Sequence, residues 1–343
     1  MRILSIYLFS LALLASPKGA PAQQEVKADN KKNDVRSDAK ANAAPPAENW
    51  GVLGDFKTGL QPTAVAVIQH DELPDFVREL VRVEWRRGDP FDLWITRPKV
   101  AGKVPAVLYL YDYTDVGERF QDNGWCKRAS SDGFAAVGFT SALSFNRFHN
   151  RPMKQWFVSE LQESLGSSVH DVQLILNYLA ARGDVDMDHV GMFGMGSGAT
   201  IAILAAHTDP SIKALDLLDP WGDWPDWLKS SPVVPDAERA KYLSPEFLKS
   251  AAALDPLDYL PSLKTPSFRL QVTLSDPATP DIAKQRLAKA VPDQTRLVEY
   301  ANAQDLMKAW KTSGLSGWIK QQMRSQKAKE AAMHTEEVPT STR

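Results

Sequence analysis

Apolar residues along this chain fall into two alternating patterns. The first is the short, uninterrupted run. Pro105–Tyr111 (PAVLYLY) and Phe134–Thr140 (FAAVGFT) are rich in branched and aromatic residues and predict strands buried on both faces. His189–Phe193, Ile212–Leu218, Phe268–Leu274 and Arg296–Tyr300 predict four more. Leu80–Trp85 and Phe91–Thr96 predict an early pair joined by a Gly88-Asp89-Pro90 turn. The second pattern has a helical period. Over Ser159–Ala181 it sets Val169, Val172, Leu176 and Leu179 on one face, and Gly183 ends it. Helices are also predicted over Phe120–Ser130, Ala199–His207, Asp281–Ala290 and Asp305–Met323. Strands alternating with helices imply βαβ units, hence an α/β fold with a mostly parallel sheet.

One connection breaks this rhythm. Roughly fifty residues separate Leu218 from Phe268, where compact folds use ~4–6. The segment carries Trp221, Trp224 and Trp227, and a long insertion near strand ends predicts a lid, at about 220–265, over a cleft.

The two ends read differently from the middle. Arg2 precedes an apolar run, Ile3–Ala15, followed by Ala20-Pro21-Ala22, the pattern of a secretory signal peptide over residues 1–22. The run is short for a membrane span of ~20 residues, and no later stretch is long enough for one. Export to the periplasm or out of the cell is therefore expected. Residues 23–48 are polar and poor in large apolar side chains, which predicts a disordered linker. Residues 49–324 are expected to form the folded domain, and 325–343 a flexible tail.

Composition narrows the chemistry. The 343 residues are 43% hydrophobic and 24% charged, with a formal net charge of −2, so the basic footprint of a nucleic-acid binder is absent. The single cysteine, Cys126, excludes an intrachain disulfide and a cysteine-pair metal site. Asp184, Asp186 and Asp188 alternate like the start of a calcium loop. Such a loop needs Gly at its sixth position and Glu at its twelfth, and here these are His189 and Met195. No metal and no organic cofactor is expected.

The strongest motif follows the His189–Phe193 run. Gly194-Met195-Gly196-Ser197-Gly198 leads into a helix of small residues, the context of a nucleophile elbow, G-x-S-x-G. The flanking residues must be small because backbone and helix crowd the turn. Gly194 and Gly198 meet that need, which puts Gly196 at the nucleophile position. Ser197 is the alternative nucleophile, one residue late; a slipped register would set Met195 where a small residue is required.

From about Leu80 to Met323 the chain resembles the α/β-hydrolase superfamily, and most of all its dienelactone-hydrolase, acetyl-xylan-esterase and prolyl-oligopeptidase-like branch. The matching residues are Thr96-Arg97-Pro98, Asp171–Arg182 (DVQLILNYLAAR), Asp184-Val185-Asp186, Val190–Gly194 (VGMFG), Pro256–Leu260 (PLDYL), Lys264-Thr265-Pro266, and Ser275-Asp276 after a strand. The resemblance implies a sheet of about eight strands with helices on both faces and a Ser, Asp, His triad in that order. Carried over, the nucleophile slot is Gly196 and the acid slot Asp276. The histidine slot is Gln304, within Ala303-Gln304-Asp305. The loop expected to line an oxyanion and ligand pocket holds Tyr111, Asp112 and Tyr113, with Ser197 beside it. An aspartate there would repel a developing oxyanion unless it points away.

Of the six histidines, none lies between His207 and His334, so no imidazole follows Asp276 except in the polar tail. A neutral Gln amide is no general base near pH 7. Asp219 is a further candidate acid, and His170 is expected to be structural. The expected function is that of an exported, non-catalytic protein of hydrolase fold that binds a small-molecule ligand or a protein partner. The alternative is an active serine esterase or peptidase that attacks with Ser197.

Overall fold

The computed structural model describes residues 60–85, 88–113, 115, 117–144, 147 and 161–336. The expected signal peptide and linker lie outside these residues, as do Ser159 and Glu160 of the expected Ser159–Ala181 helix and the end of the tail.

Nine strands form one sheet: β1 Ala64–Glu72, β2 Phe76–Glu84, β3 Phe91–Pro98, β4 Val104–Leu110, β5 Ala135–Phe139, β6 Val185–Met195, β7 Ile212–Leu218, β8 Ser267–Thr273 and β9 Leu297–Tyr300. Their order is β1-β2-β3-β5-β4-β6-β7-β8-β9. The first three strands run antiparallel to their neighbours, and every pairing from β5 onward is parallel.

The expected eight strands become nine because β1 carries no burial signal. It is an edge strand exposed over most of its length, with Val65, Val67 and Ile68 open to solvent. β6 also begins earlier than its apolar run. Its register with β4 jumps from Val104↔Val185 to Ala106↔Val190, so Asp186 to His189 bulge out of the ladder and read as a loop.

The helices are α1 Asn123–Ala129, α2 Leu161–Arg182, α3 Ser197–Thr208, α4 Trp224–Ser230, α5 Asp236–Tyr242, α6 Pro245–Ala252, α7 Pro256–Tyr259, α8 Asp281–Ala290, α9 Ala303–Ser313 and α10 Gly317–Glu336. The single helix expected over Asp305–Met323 is two, broken at Gly314, whose φ of 74° leaves the helical region. The second runs to Glu336, so the expected tail is helical over its first part.

The alternation of β4 builds the two core layers. Ala106, Leu108 and Leu110 face α2 and α3; Val107 and Tyr109 face the side packed with Phe120, Ala129, Leu306, Ile319 and Met323 from α1, α9 and α10 and the turn before α1. Helices therefore cover both faces, as a parallel sheet requires.

The segment expected as a lid holds α4 to α7, and its tryptophans make a core. Trp221, Trp224 and Trp227 are fully buried, with ring centroids 4.7 Å apart for Trp221 and Trp227 and 5.6 Å for Trp224 and Trp227. The Asp255 carboxylate fastens the segment's two ends by accepting from the N–H groups of Asp223 (2.8 Å) and Trp224 (2.9 Å). Two buried ion clusters hold the sheet elsewhere. Arg147 bridges Asp89 and Asp171, and Arg269 pairs with Asp216, which also accepts from Gln271.

Candidate functional site

Four strands end at one edge of the sheet, and each delivers a polar residue there: Asp112 after β4, Gly196-Ser197 after β6, Asp219 after β7 and Asp276 after β8. The chain order reverses around β4, which lies between β5 and β6, so this edge is a topological switch point, the place where ligands bind in open α/β sheets.

The turn from β6 into α3 is built on glycines. Gly196 has φ 57° and ψ −125°, a backbone state costly to any residue with a Cβ. Its N–H still serves the sheet, donating to the Leu218 carbonyl at 2.9 Å. A Cβ on Gly194 would stand 2.5 Å from Ala199 Cα, and one on Gly198 would stand 2.1 Å from the Leu110 carbonyl oxygen. The need for small flanking residues is thus met at the two positions that frame Gly196. Ser197 lies in the first turn of α3 and is fully buried.

Asp112 points toward this turn. Its Oδ1 accepts from the Ser197 N–H at 3.1 Å, from Ser197 Oγ at 2.8 Å and from the Tyr113 N–H at 2.9 Å. The Tyr113 N–H also reaches Ser197 Oγ, at 2.9 Å. A Cβ built on Gly196 would stand 2.7 Å from Asp112 Oδ1. The carboxylate therefore occupies space that any side chain at position 196 would need.

Burial pushes the Asp112 carboxyl up to about 6; the hydrogen bonds from Ser197 and Tyr113 work against that rise, and the charge of Asp276 adds to it. Asp219 is pushed up to about 7, first by burial and also by Asp276, against a 2.6 Å hydrogen bond from the Thr273 N–H. It holds φ 46°, a strained value for a residue with a side chain. Asp276 is raised by burial as well. Lys284 lowers the pKa of both Asp219 and Asp276, and its ammonium donates to the backbone carbonyls of Leu274, at 2.8 Å, and Asp276.

The remaining predicted residues fall around this centre. Tyr111 is buried under Arg119, whose guanidinium carbon lies 3.5 Å from the ring centroid, and burial pushes its phenol far up. The Tyr113 ring leans on Trp221 at 5.4 Å. Gln304 opens α9 in an exposed position; its N–H donates to Asn302 Oδ1, while its side chain makes no hydrogen bond among the described residues.

The described histidine side chains are all engaged elsewhere. His70 bonds Glu79, His170 packs its ring at a tilt against Trp85, His189 bonds Asp186, and His207 meets Ser262 and Tyr259. His149 and the side chain of His334 lie outside the described residues. Arg119 and Lys284 carry no signal in the sequence: Arg119 sits just before the expected Phe120–Ser130 helix and Lys284 within the expected Asp281–Ala290 helix, where a lone cation reads as solvated surface. No group of three or more His, Cys, Asp or Glu among the described residues is arranged to hold a metal ion. No described helix is long and apolar enough to cross a membrane.

No protein-family model matches the sequence, and no curated protein matches it. Solved structures do match. The chain is similar to acetyl xylan esterase 1 from Thermoanaerobacterium sp., with TM-score 0.62 and 14% identity over 78% of this chain and 92% of that one. It is similar to the acetyl xylan esterase of Paenibacillus sp., with TM-score 0.58 and 16% identity over 79% of this chain and 91% of that one. Prolyl oligopeptidase B from Galerina marginata matches with TM-score 0.53 and 12% identity over 73% of this chain and 37% of that one. Likeness at this level of identity is likeness of fold, and the fold is that of the α/β hydrolases.

Proposed function

We propose that this chain is a non-catalytic protein of α/β-hydrolase fold that binds a small ligand or a partner at the carboxyl edge of its sheet. One observation carries the reading. The position that bears the nucleophile in an elbow is Gly196, and the Asp112 carboxylate lies where a side chain there would stand. The same carboxylate takes up the Ser197 N–H, a donor placed as one arm of an oxyanion hole. A developing oxyanion would meet a fixed negative charge in place of two free donors. Gln304, neutral and exposed, supports the absence of a general base.

The competing reading has Ser197 attack with Asp112 as its base, and the 2.8 Å bond between them favours it. Against it, Ser197 is wholly buried, and its own N–H is held by that same carboxylate. Export belongs to the proposal too, supported by the pattern of residues 1–22.

Treatment of the folded mature chain with a fluorophosphonate, followed by intact-mass measurement, separates the two readings. An unmodified mass is expected. A stoichiometric adduct on Ser197, together with ester turnover abolished by Ser197→Ala, would replace this reading with that of a serine hydrolase. Weak turnover alone would not, because a site stripped of its triad still accelerates hydrolysis by ~10³–10⁴ over water.

A further inference from the structure

We propose that Asn123 is a site of spontaneous covalent modification: in the folded chain its side-chain amide closes onto the backbone nitrogen of Gly124 and then opens to aspartate or isoaspartate. Asn123 ends the turn that carries the chain from Asp112 and Tyr113 into α1.

Three features converge on this residue. The first is the step itself. Asn123-Gly124 is the only Asn-Gly pair in the sequence, and glycine, with no Cβ, leaves its nitrogen the least hindered approach to a neighbouring carbonyl. Both residues are exposed. The second is the place in the helix. The pair opens α1, where the first N–H groups have no partner within the helix. Asp122 takes up the N–H groups of Trp125, through Oδ1, and of Cys126, through its carbonyl at 2.9 Å. The Gly124 N–H makes no hydrogen bond among the described residues. Attack requires Asn123 to turn about ψ, and at the first helical residue that turn breaks the fewest intrahelical bonds.

The third feature is Arg78. Its Nη1 donates to Asn123 Oδ1 at 3.0 Å, and its Nη2 is held by Asp71 at 2.6 Å. When the Gly124 nitrogen adds to Asn123 Cγ, the carbonyl electron pair moves onto Oδ1, where this guanidinium already stands to stabilise it. The leaving group, Nδ2, has no hydrogen-bond partner among the described residues and sits on an exposed side chain.

The atoms balance with water as the sole co-reactant. Gly124 N gives up its proton to solvent, the N–Cγ bond forms, and the Cγ–Nδ2 bond breaks to release ammonia. Water then opens the five-membered imide at either carbonyl. Opening at Cγ leaves an aspartate at 123, and opening at the backbone carbonyl leaves an isoaspartate. The first product sets a carboxylate beside Arg78 in a helical turn that now has no acid. The second adds a methylene to the main chain between Asp122 and the Trp125 N–H it caps. Arg78 also donates to the carbonyls of Phe120, at 3.2 Å, and Gln121, at 2.9 Å, so either product alters the pin between β2 and the turn ahead of α1.

Ageing the folded mature chain in mildly alkaline buffer, with tryptic mapping at intervals, tests this. The peptide Phe120–Lys127 should give two new species, both with the mass gain of amide-to-acid conversion and separable as aspartate and isoaspartate, while ammonia is released. Asn123→Gln should abolish the gain on this peptide; a gain that persists in the variant would belong to Gln121 and overturn the assignment. A parallel run in denaturant locates the reaction. The native rate is expected within about a hundredfold of the denatured rate. A lower native rate would overturn the proposal, because it would confine the reaction to the unfolded chain, which a folding equilibrium constant of ~10³ or more makes rare.

Discussion

The carboxylate of Asp112 and the missing side chain of Gly196 fit one another: a Cβ on Gly196 would stand 2.7 Å from Asp112 Oδ1. Neither residue is independent of the other. Gly196→Ala meets both the clash and the backbone strain at φ 57°, a cost of ~1–3 kcal/mol from strain alone. Asp112→Gly in the same chain removes the clash and leaves the strain. A double-mutant cycle by denaturant unfolding should give a favourable coupling of ~0.5–3 kcal/mol. Simple additivity of the two substitutions would show that Asp112 yields freely to a side chain at 196.

The carboxylates at the sheet edge give stability a definite pH slope. Asp219 ionises near 7 and Asp112 near 6, while unfolded aspartate ionises near ~3.9. Between these limits the folded chain binds more protons than the unfolded one. The stability these groups contribute is full below about pH 4 and is lost as the pH rises through 6 and 7. Asp219→Asn keeps the acceptor for the Thr273 N–H and removes the ionisation. It should flatten the slope and raise stability at about pH 8 relative to wild type. Denaturant midpoints between about pH 4 and pH 8 would measure both effects, and an unchanged slope would contradict the assignment.

Arg147 is buried between two buried carboxylates, Asp89 at 2.9 Å and Asp171. Arg147→Ala would remove one partner from a buried ion cluster, a change that costs ~3–5 kcal/mol. Asp171 also accepts from Trp85 Nε1 at 2.7 Å, which ties β2's end to α2. Loss of the arginine should therefore lower the thermal midpoint and change tryptophan fluorescence together. A drop in stability within about 0.5 kcal/mol, the range of ordinary surface substitutions, would contradict the role.

The tryptophans of the inserted segment act as core. Trp227 is wholly buried between Trp221 and Trp224, and Trp227→Ala should cost ~3–5 kcal/mol. A segment that swings freely over a cleft would tolerate the change at much smaller cost. Unfolding curves followed by circular dichroism distinguish the two.

The legible parts of this fold are those where one-dimensional spacing dictates geometry. β4 and β5 announce themselves as continuous apolar runs because both faces of the sheet are covered. The turn at Gly196 is legible in the spacing of Gly194 and Gly198, since backbone crowding leaves no alternative to hydrogen there. β1 escapes because an exposed edge strand needs no apolar face, and its valines read as scattered surface residues. The start of β6 escapes because a bulge breaks the period of the strand. The orientation of Asp112 is not a local property at all. It depends on the absence of a side chain at Gly196, far along the chain, and on donors from α3 that are brought within reach only by the assembled sheet.

The width of the sheet bears on where such a site can form. Neighbouring strands of a twisted sheet rotate by roughly −20 to −25° at each step, so in a sheet of this width the outer strands turn well away from the central ones. Adjacent β4, β6 and β7 diverge by only about 40–50° in total. Their carboxyl ends stay pointed at a common region of space while the outer strands fan away from it. A propeller with this pitch has one hub, and Asp112, Gly196 and Asp219 are the residues that leave it.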